Sequence, residues 1–132
     1  MQLFNKTITL LNRCLENDFN DKFYITKINN VCCQIHIASD NNSTDSSVSS
    51  KCSIFIHEKT LPKKYLLPKQ WLSLNDKSAF LTFKDDDYIV FGEISEKNII
   101  DINEIYDKYD NVFKIFSCSY FDLLKSFQIK AL

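Results

Sequence analysis

Lys22 to Ile37 reads KFYITKINNVCCQIHI, and the fold turns on how this stretch is read. Phe23, Ile25 and, past Asn29-Asn30, Val31, Cys33, Ile35 and Ile37 keep a period of two, the alternation of a half-buried strand. The Asn pair predicts a bend or bulge in the middle of one long β segment. Upstream, Lys6 to Cys14 (KTITLLNRC) mixes β-branched and apolar residues and reads as a first strand, and the polar ENDFND from Glu16 makes a turn. Downstream, Ser39 to Ser50 (SDNNSTDSSVSS) carries six Ser, and Val48 is its only large apolar residue. Such a segment cannot anchor to a core by itself, so a mobile polar loop is expected over about 39–51. Cys52 to His57 (CSIFIH) then returns as the partner strand of a long hairpin.

Lys59 to Leu74 reads as extended and irregular, punctuated by Pro62 and Pro68. Ala79 to Glu93 (AFLTF-KDDD-YIVFGE) reads as a tight hairpin. Asn98 to Tyr109 is the one good helix, with Ile99, Ile102, Ile105, Tyr106 and Tyr109 on one face and Asp101 or Asn98 as its cap. Asn111 to Ser117 is a further strand. Lys125 to Leu132 closes the chain as a strand with Phe127, Ile129 and Ala131 alternating, against a competing short helix at Tyr120 to Phe127. The expected fold is mainly β, a β-barrel or strongly twisted antiparallel sheet with one packed α-helix. Residues 1–132 make one domain, long enough to bury a core.

Bulk composition narrows the function. Hydrophobic residues make up 45% of the chain, which excludes a disordered polymer, and eleven Phe and six Tyr suit pleated surfaces and interface centres. Sixteen basic residues balance seventeen acidic ones, so a general electrostatic grip on nucleic acid or an anionic membrane is not supported. No run of eighteen apolar residues occurs, and the opening Met1-Gln2-Leu3-Phe4-Asn5 has no signal-peptide layout. Five cysteines without a CxxC pair argue against a disulfide framework or zinc ribbon and read as reduced packing residues.

Chemistry-bearing residues are few. His36 and His57 fall near Cys32, Cys33 and Cys52 on neighbouring expected strands, but the spacing matches no standard ligand pattern. With one glycine in the chain, nothing announces an oxyanion hole for Cys–His catalysis. Asp85-Asp86-Asp87 reads as a solvated turn, since a calcium loop needs alternating ligands and a turn glycine. Lys59, Lys63, Lys64 and Lys69 form the only local basic cluster, read as a solvated, charge-mixed loop that could alternatively touch a phosphate backbone. Trp71 either pins its segment onto the core or anchors an interface. No catalytic residue, cofactor, metal or small-molecule substrate is expected.

The order of segments carries a resemblance. LFNKTITLLN from Leu3, FYITKINNV from Phe23, IFIH from Ile54, KYLLPKQW from Lys64, FLTFKDDDYIVFGE from Phe80, the helix at Ile102 to Tyr109 and VFKIFSCS from Val112 follow one another. This order resembles a family of small proteins of Firmicutes-type tailed phages, the minor capsid or head–tail connector proteins. Two departures stand out: Asp86-Asp87 replaces the family's Gly-Asp turn, and Gln128 to Leu132 lacks a His-Trp pair often found there. The resemblance implies a structural virion protein, assembled in the host cytoplasm, forming a ring in the neck between portal and tail in a head-closure (stopper) or adaptor role. Its implied partners are copies of itself, portal or adaptor and tail proteins, and non-specifically the packaged DNA. Interface or channel candidates are Ser39, Asn42, Ser46 and Ser50 of the loop, with Lys63, Lys64, Lys69 and Trp71. The alternatives are a tail-terminator ring protein or a small phage-encoded inhibitory binding protein.

Overall fold

The alternating strands close on themselves. The computed structural model describes residues 5–15, 21–38 and 49–132, so the turn expected at 16–20 and the polar stretch 39–48 lie outside the described residues. The strands are β1 (Lys6–Leu15), β2 (Asp21–Ala38), β3 (Ser49–His57), β4 (Lys64–Tyr65), β5 (Phe80–Leu81), β6 (Tyr88–Phe91), β7 (Val112–Phe121) and β8 (Ser126–Ala131). Six of them form a closed barrel in the order β1-β2-β3-β8-β7-β6, all pairs antiparallel. Closure leaves the barrel no free edge, and β4 pairs with β5 as a separate two-stranded parallel piece.

β2 is long enough to serve two neighbours. Its first part pairs with β1 up to Lys6↔Val31, and from Cys32↔Phe55 onward it pairs with β3. The handover is the bend expected at Asn29-Asn30: the register slips by one and Asn30 takes φ +60°, a left-handed conformation that Asn tolerates. The slip also corrects the period-two reading. Phe23 lies in the outer apolar cluster with Ile25 packed against it, Ile28 and Val31 lie inside the barrel, and Ile35 is exposed. A bulge exchanges the two faces of a strand, which a single alternating series cannot follow.

The core has two parts. Ile8, Leu10, Ile54, Ile89, Phe113 and Ile129 fill the barrel. Leu11, Phe23, Tyr88 and Val90 face outward under Ile94, Ile99 and Ile105. The covering helix, Ile102–Lys108, is shorter at its start than expected, because Asp101 caps it by accepting from the Asn103 N–H at 3.0 Å. Ile105 is buried, Ile102 and Tyr109 pack beside it, and Tyr106 stays exposed. A salt bridge from Lys108 to Glu96 (2.7 Å) and a hydrogen bond from the Tyr109 hydroxyl to Glu96 (2.7 Å) tie the helix to the preceding loop. Gly92 sits at φ +93°, where its N–H donates to Thr7 O and its carbonyl accepts from Thr9 Oγ1.

Three expectations are corrected, and the last strand stands against its helical alternative. Ala79 to Glu93 is no hairpin: β5 pairs with β4, and β6 lies between β1 and β7. The segment 59–74 contains a 3-10 turn (Glu58–Thr60) and a five-residue helix α1 (Pro68–Leu72), so Ile102–Lys108 is α2. Pro68 opens α1 with a preset φ, and the Gln70 side chain accepts from the Leu67 N–H. Ser49 to Lys51 belong to β3, which shortens the expected loop. At the end of the chain, residues 122–125 make a turn between β7 and β8 and no helix forms there.

Candidate functional site

One end of the barrel is finished by a buried polar network. Asp87 is fully buried, which corrects the reading of Asp85-Asp86-Asp87 as a wholly solvated turn; Asp85 and Asp86 are exposed. The Asp87 carboxylate accepts from Asn12 Nδ2 (2.8 Å), the Arg13 N–H (2.9 Å), the Lys84 N–H (3.3 Å) and the Lys84 ammonium. Burial pushes its pKa up, and Lys84, Arg13 N–H and Asn12 pull against that rise. Lys84 also donates to Arg13 O and lies 5.4 Å from the Trp71 ring centre. Lys77 lies 5.6 Å from the same ring, and Tyr24 meets it edge-on at 5.7 Å. Trp71 has no exposed surface in this chain. Of its two candidate roles it takes the first, pinning α1 to β2 and the 82–87 segment.

The opposite character appears beside the β7–β8 turn. A groove of about 880 Å³ is lined by Glu58, Leu61, Pro62, Tyr65, Tyr120 and Phe127, with Lys59, Lys63 and Lys64 also on its wall. Its floor is an aromatic cluster: Tyr65 meets Phe127 at 4.6 Å and Phe83 at 5.6 Å, and Tyr120 meets Phe127 at 4.8 Å. The Tyr120 hydroxyl donates to Glu58 (2.8 Å), which pushes its pKa up to about 12 and engages the one carboxylate on the wall. Among the described residues, no carboxylate lies in ion-pair reach of Lys59, Lys63 or Lys64. Burial alone lowers the pKa of Lys63 from its ordinary value.

Next to the groove stands the turn itself. Leu123 is 99% and Leu124 66% exposed, and Tyr120 and Phe121 are both among the exposed large apolar side chains. The turn is well tied: the Glu58 N–H donates to Lys125 O (2.8 Å), Lys125 N–H to Asp122 O, and Ser126 Oγ to Leu124 O. Lys125 takes φ +49° to make it. Two leucines held out in water on an ordered turn cost solvation, and no intrachain contact compensates.

Of the candidates named from sequence, Lys63 and Lys64 meet at this groove. Lys69 is exposed on α1, and Trp71 is buried beneath it. Ser50 lies in β3 and pairs through its backbone with Ile37; Ser39, Asn42 and Ser46 lie outside the described residues. Sequence reasoning pointed to the surplus aromatics, near Trp71 and on the outer face of the final strands, without singling out Tyr120, Phe127 or the 121–124 turn. Their signal is the run YFDLL, unusual between two strands, which in isolation is equally compatible with a short helix.

The thiols and histidines gather into no site among the described residues. Cys52 is in the barrel core and desolvation pushes its pKa to about 12, while Cys33 and Cys118 rise to about 11 for the same cause, so all three stay protonated thiols. His57 Nδ1 accepts from the Lys59 N–H at 3.2 Å and caps the 3-10 turn. β3 and β2 do pair, with His36 opposite Lys51.

A family profile described as a family of unknown function (DUF6751) matches residues 3–131. The chain belongs to the DUF6751 family. The matched span takes in every strand and both helices, so the barrel, the groove and the β7–β8 turn are all parts of the DUF6751 domain. Comparison with the curated proteins and with the solved structures gives no significant match.

Proposed function

We propose that this protein is a structural component of a tailed-phage neck, forming a ring of identical copies between portal and tail in a head-closure or adaptor role. The observation that carries the reading is that large apolar side chains stand exposed at several separate places on a barrel with no free edge. Ile35 on β2, Leu72 on α1, Ile100 ahead of α2 and Phe116 on β7 are all among them. A cyclic head-to-tail ring needs two unlike surfaces per copy, and exposed apolar side chains at separate places on the barrel supply candidates for both.

Two further features support it. The order of motifs resembles the head–tail connector proteins, and β2 and β3 extend past β8: Ser49, Ser50 and Lys51 pair with β2 only, while β8 meets β3 from Cys52. The serine-rich stretch 39–48 joins these two strands in sequence. A net charge of −1 fits a surface that lets DNA pass and makes only non-specific contact with it.

The test is the copy number of the protein in gradient-purified virions of its source phage, measured by quantitative mass spectrometry. A small fixed number per particle, far below the major capsid protein, is expected. Absence from virions together with abundance in infected-cell lysate would overturn the neck role and favour the inhibitory binding protein.

A further inference from the structure

The groove beside Tyr65 and the β7–β8 turn form one continuous face, with a hole and a knob side by side. The hole has an aromatic floor and three lysines without ion-pair partners among the described residues. The knob has Asp122 set between Phe121 and Leu123-Leu124, with Leu123 almost fully exposed. Each lacks what the other carries: apolar side chains to fill a groove, and a carboxylate to meet lysines.

We propose that this face binds the same face of a second copy, the 121–124 turn of each chain entering the groove of the other about a twofold axis. A knob adjacent to its own hole maps onto hole and knob when rotated by 180°, which is the defining property of an isologous contact. Asp122 of each copy then faces Lys63 and Lys64 of the other, and Leu123 and Leu124 cover Tyr65 and Phe127. The unpaired position of Lys63, lowered in pKa by burial without a compensating charge, is relieved in the pair. A second copy is preferred over nucleic acid because the floor is aromatic and apolar and the adjoining knob offers exposed leucines with the Asp122 carboxylate beside them. The contact does not depend on the neck reading, and Ile35, Ile100 and Phe116 lie outside it, so a ring built on those surfaces can coexist with it.

Sedimentation velocity of the purified full chain tests the pairing separately from any virion experiment. The chain is expected to sediment as a dimer, or as an assembly built from dimers, at about 0.1 mM, a concentration that captures micromolar affinity. Leu123→Glu, at a side chain with no packing to lose, should weaken the contact at least about tenfold while circular dichroism stays unchanged. Asp122→Lys alone and the double variant Lys63→Glu/Lys64→Glu alone should each fail to pair, since each homodimer meets like charges twice. Mixed in equal amounts they should pair again, because in the mixed dimer both contacts are attractive. A wild-type chain that is monomeric at that concentration, an assembly indifferent to Leu123→Glu, or a mixture that does not recover would each overturn the proposal.

Discussion

Two lysines mark the difference between two sites on this molecule. Lys84 sits against buried Asp87 and beside the Trp71 ring, with its ammonium taken up by Asp87 and Arg13 O. Lys63 sits half-buried on the groove wall with no carboxylate in reach among the described residues. Around Lys84 the chain itself supplies the partners of the ammonium and of the Asp87 carboxylate, and α1 covers the site with Trp71, although Asn12 Oδ1, Trp71 Nε1 and Thr82 Oγ1 stay without hydrogen-bond partners among the described residues. Around Lys63 it has left aromatic surface, positive charge and two exposed leucines together. A fold stabilised at the first place can leave the second unsatisfied at small cost, and such open surface is where partners bind.

The comparison breaks first at its closed site. Trp71→Ala should lower stability by about 4 kcal/mol, the usual cost of emptying a large aromatic site, read as a shift in denaturant midpoint with little change in slope. A loss below about 1 kcal/mol would mean that α1 is not pinned by the ring. Lys84→Met comes next, at about 3 kcal/mol near neutral pH, because it strands the Asp87 carboxylate in the interior. The sign in pH follows from burial. Without Lys84 the folded pKa of Asp87 lies still higher above its unfolded value, so the folded state gains relative stability as pH falls through that raised value. The deficit should therefore shrink toward acid, and a deficit that grows there would contradict the assignment.

Smaller effects sharpen the contrast. Ile105→Val should cost about 1 kcal/mol, since α2 closes the outer cluster through this side chain. Glu96 gives a pH signature on the same helix: hydrogen bonds from Lys108 and Tyr109 hold its pKa down to about 2. Its folded pKa is depressed, so its contribution is present above the ordinary value of 4.5 and is lost as pH falls from there toward about 2. Glu96→Gln should remove that part of the acid slope in thermal melts, together with the alkaline slope that the raised Lys108 pKa contributes, because Glu96 is what raises it. At the open site, Leu123→Ser should change monomer stability by less than about 0.5 kcal/mol, as an exposed side chain has nothing to unpack.

The barrel was legible in sequence where alternation was local. β1, β3 and β8 each carry their own period of two, and the Asn29-Asn30 bend announced the bulge that exchanges the faces of β2. What escaped was decided by distant partners. Asp87 looked like a turn acid because Lys84, Asp85 and Asp86 surround it, while the groups that bury it, Asn12 and Arg13, lie 75 and 74 residues away. α1 is too short to show a helical period, and the β4–β5 pairing involves two residues on each side. The groove was half visible: the lysines stood out as a cluster, but Tyr120 and Phe127 reach it only because β8 pairs with β3. No local pattern encodes that neighbourhood.

Hydrogen exchange of the full chain at two concentrations, well below and well above the association range, tests the contrast between the two sites most directly. Segments around Trp71 and 82–90 should be protected equally at both, because their partners are within the chain. Protection that rises with concentration should fall on 58–67 and 120–127. Equal exchange of those two segments at both concentrations, or a rise confined to other surfaces, would contradict the claim that this face is left open for another copy.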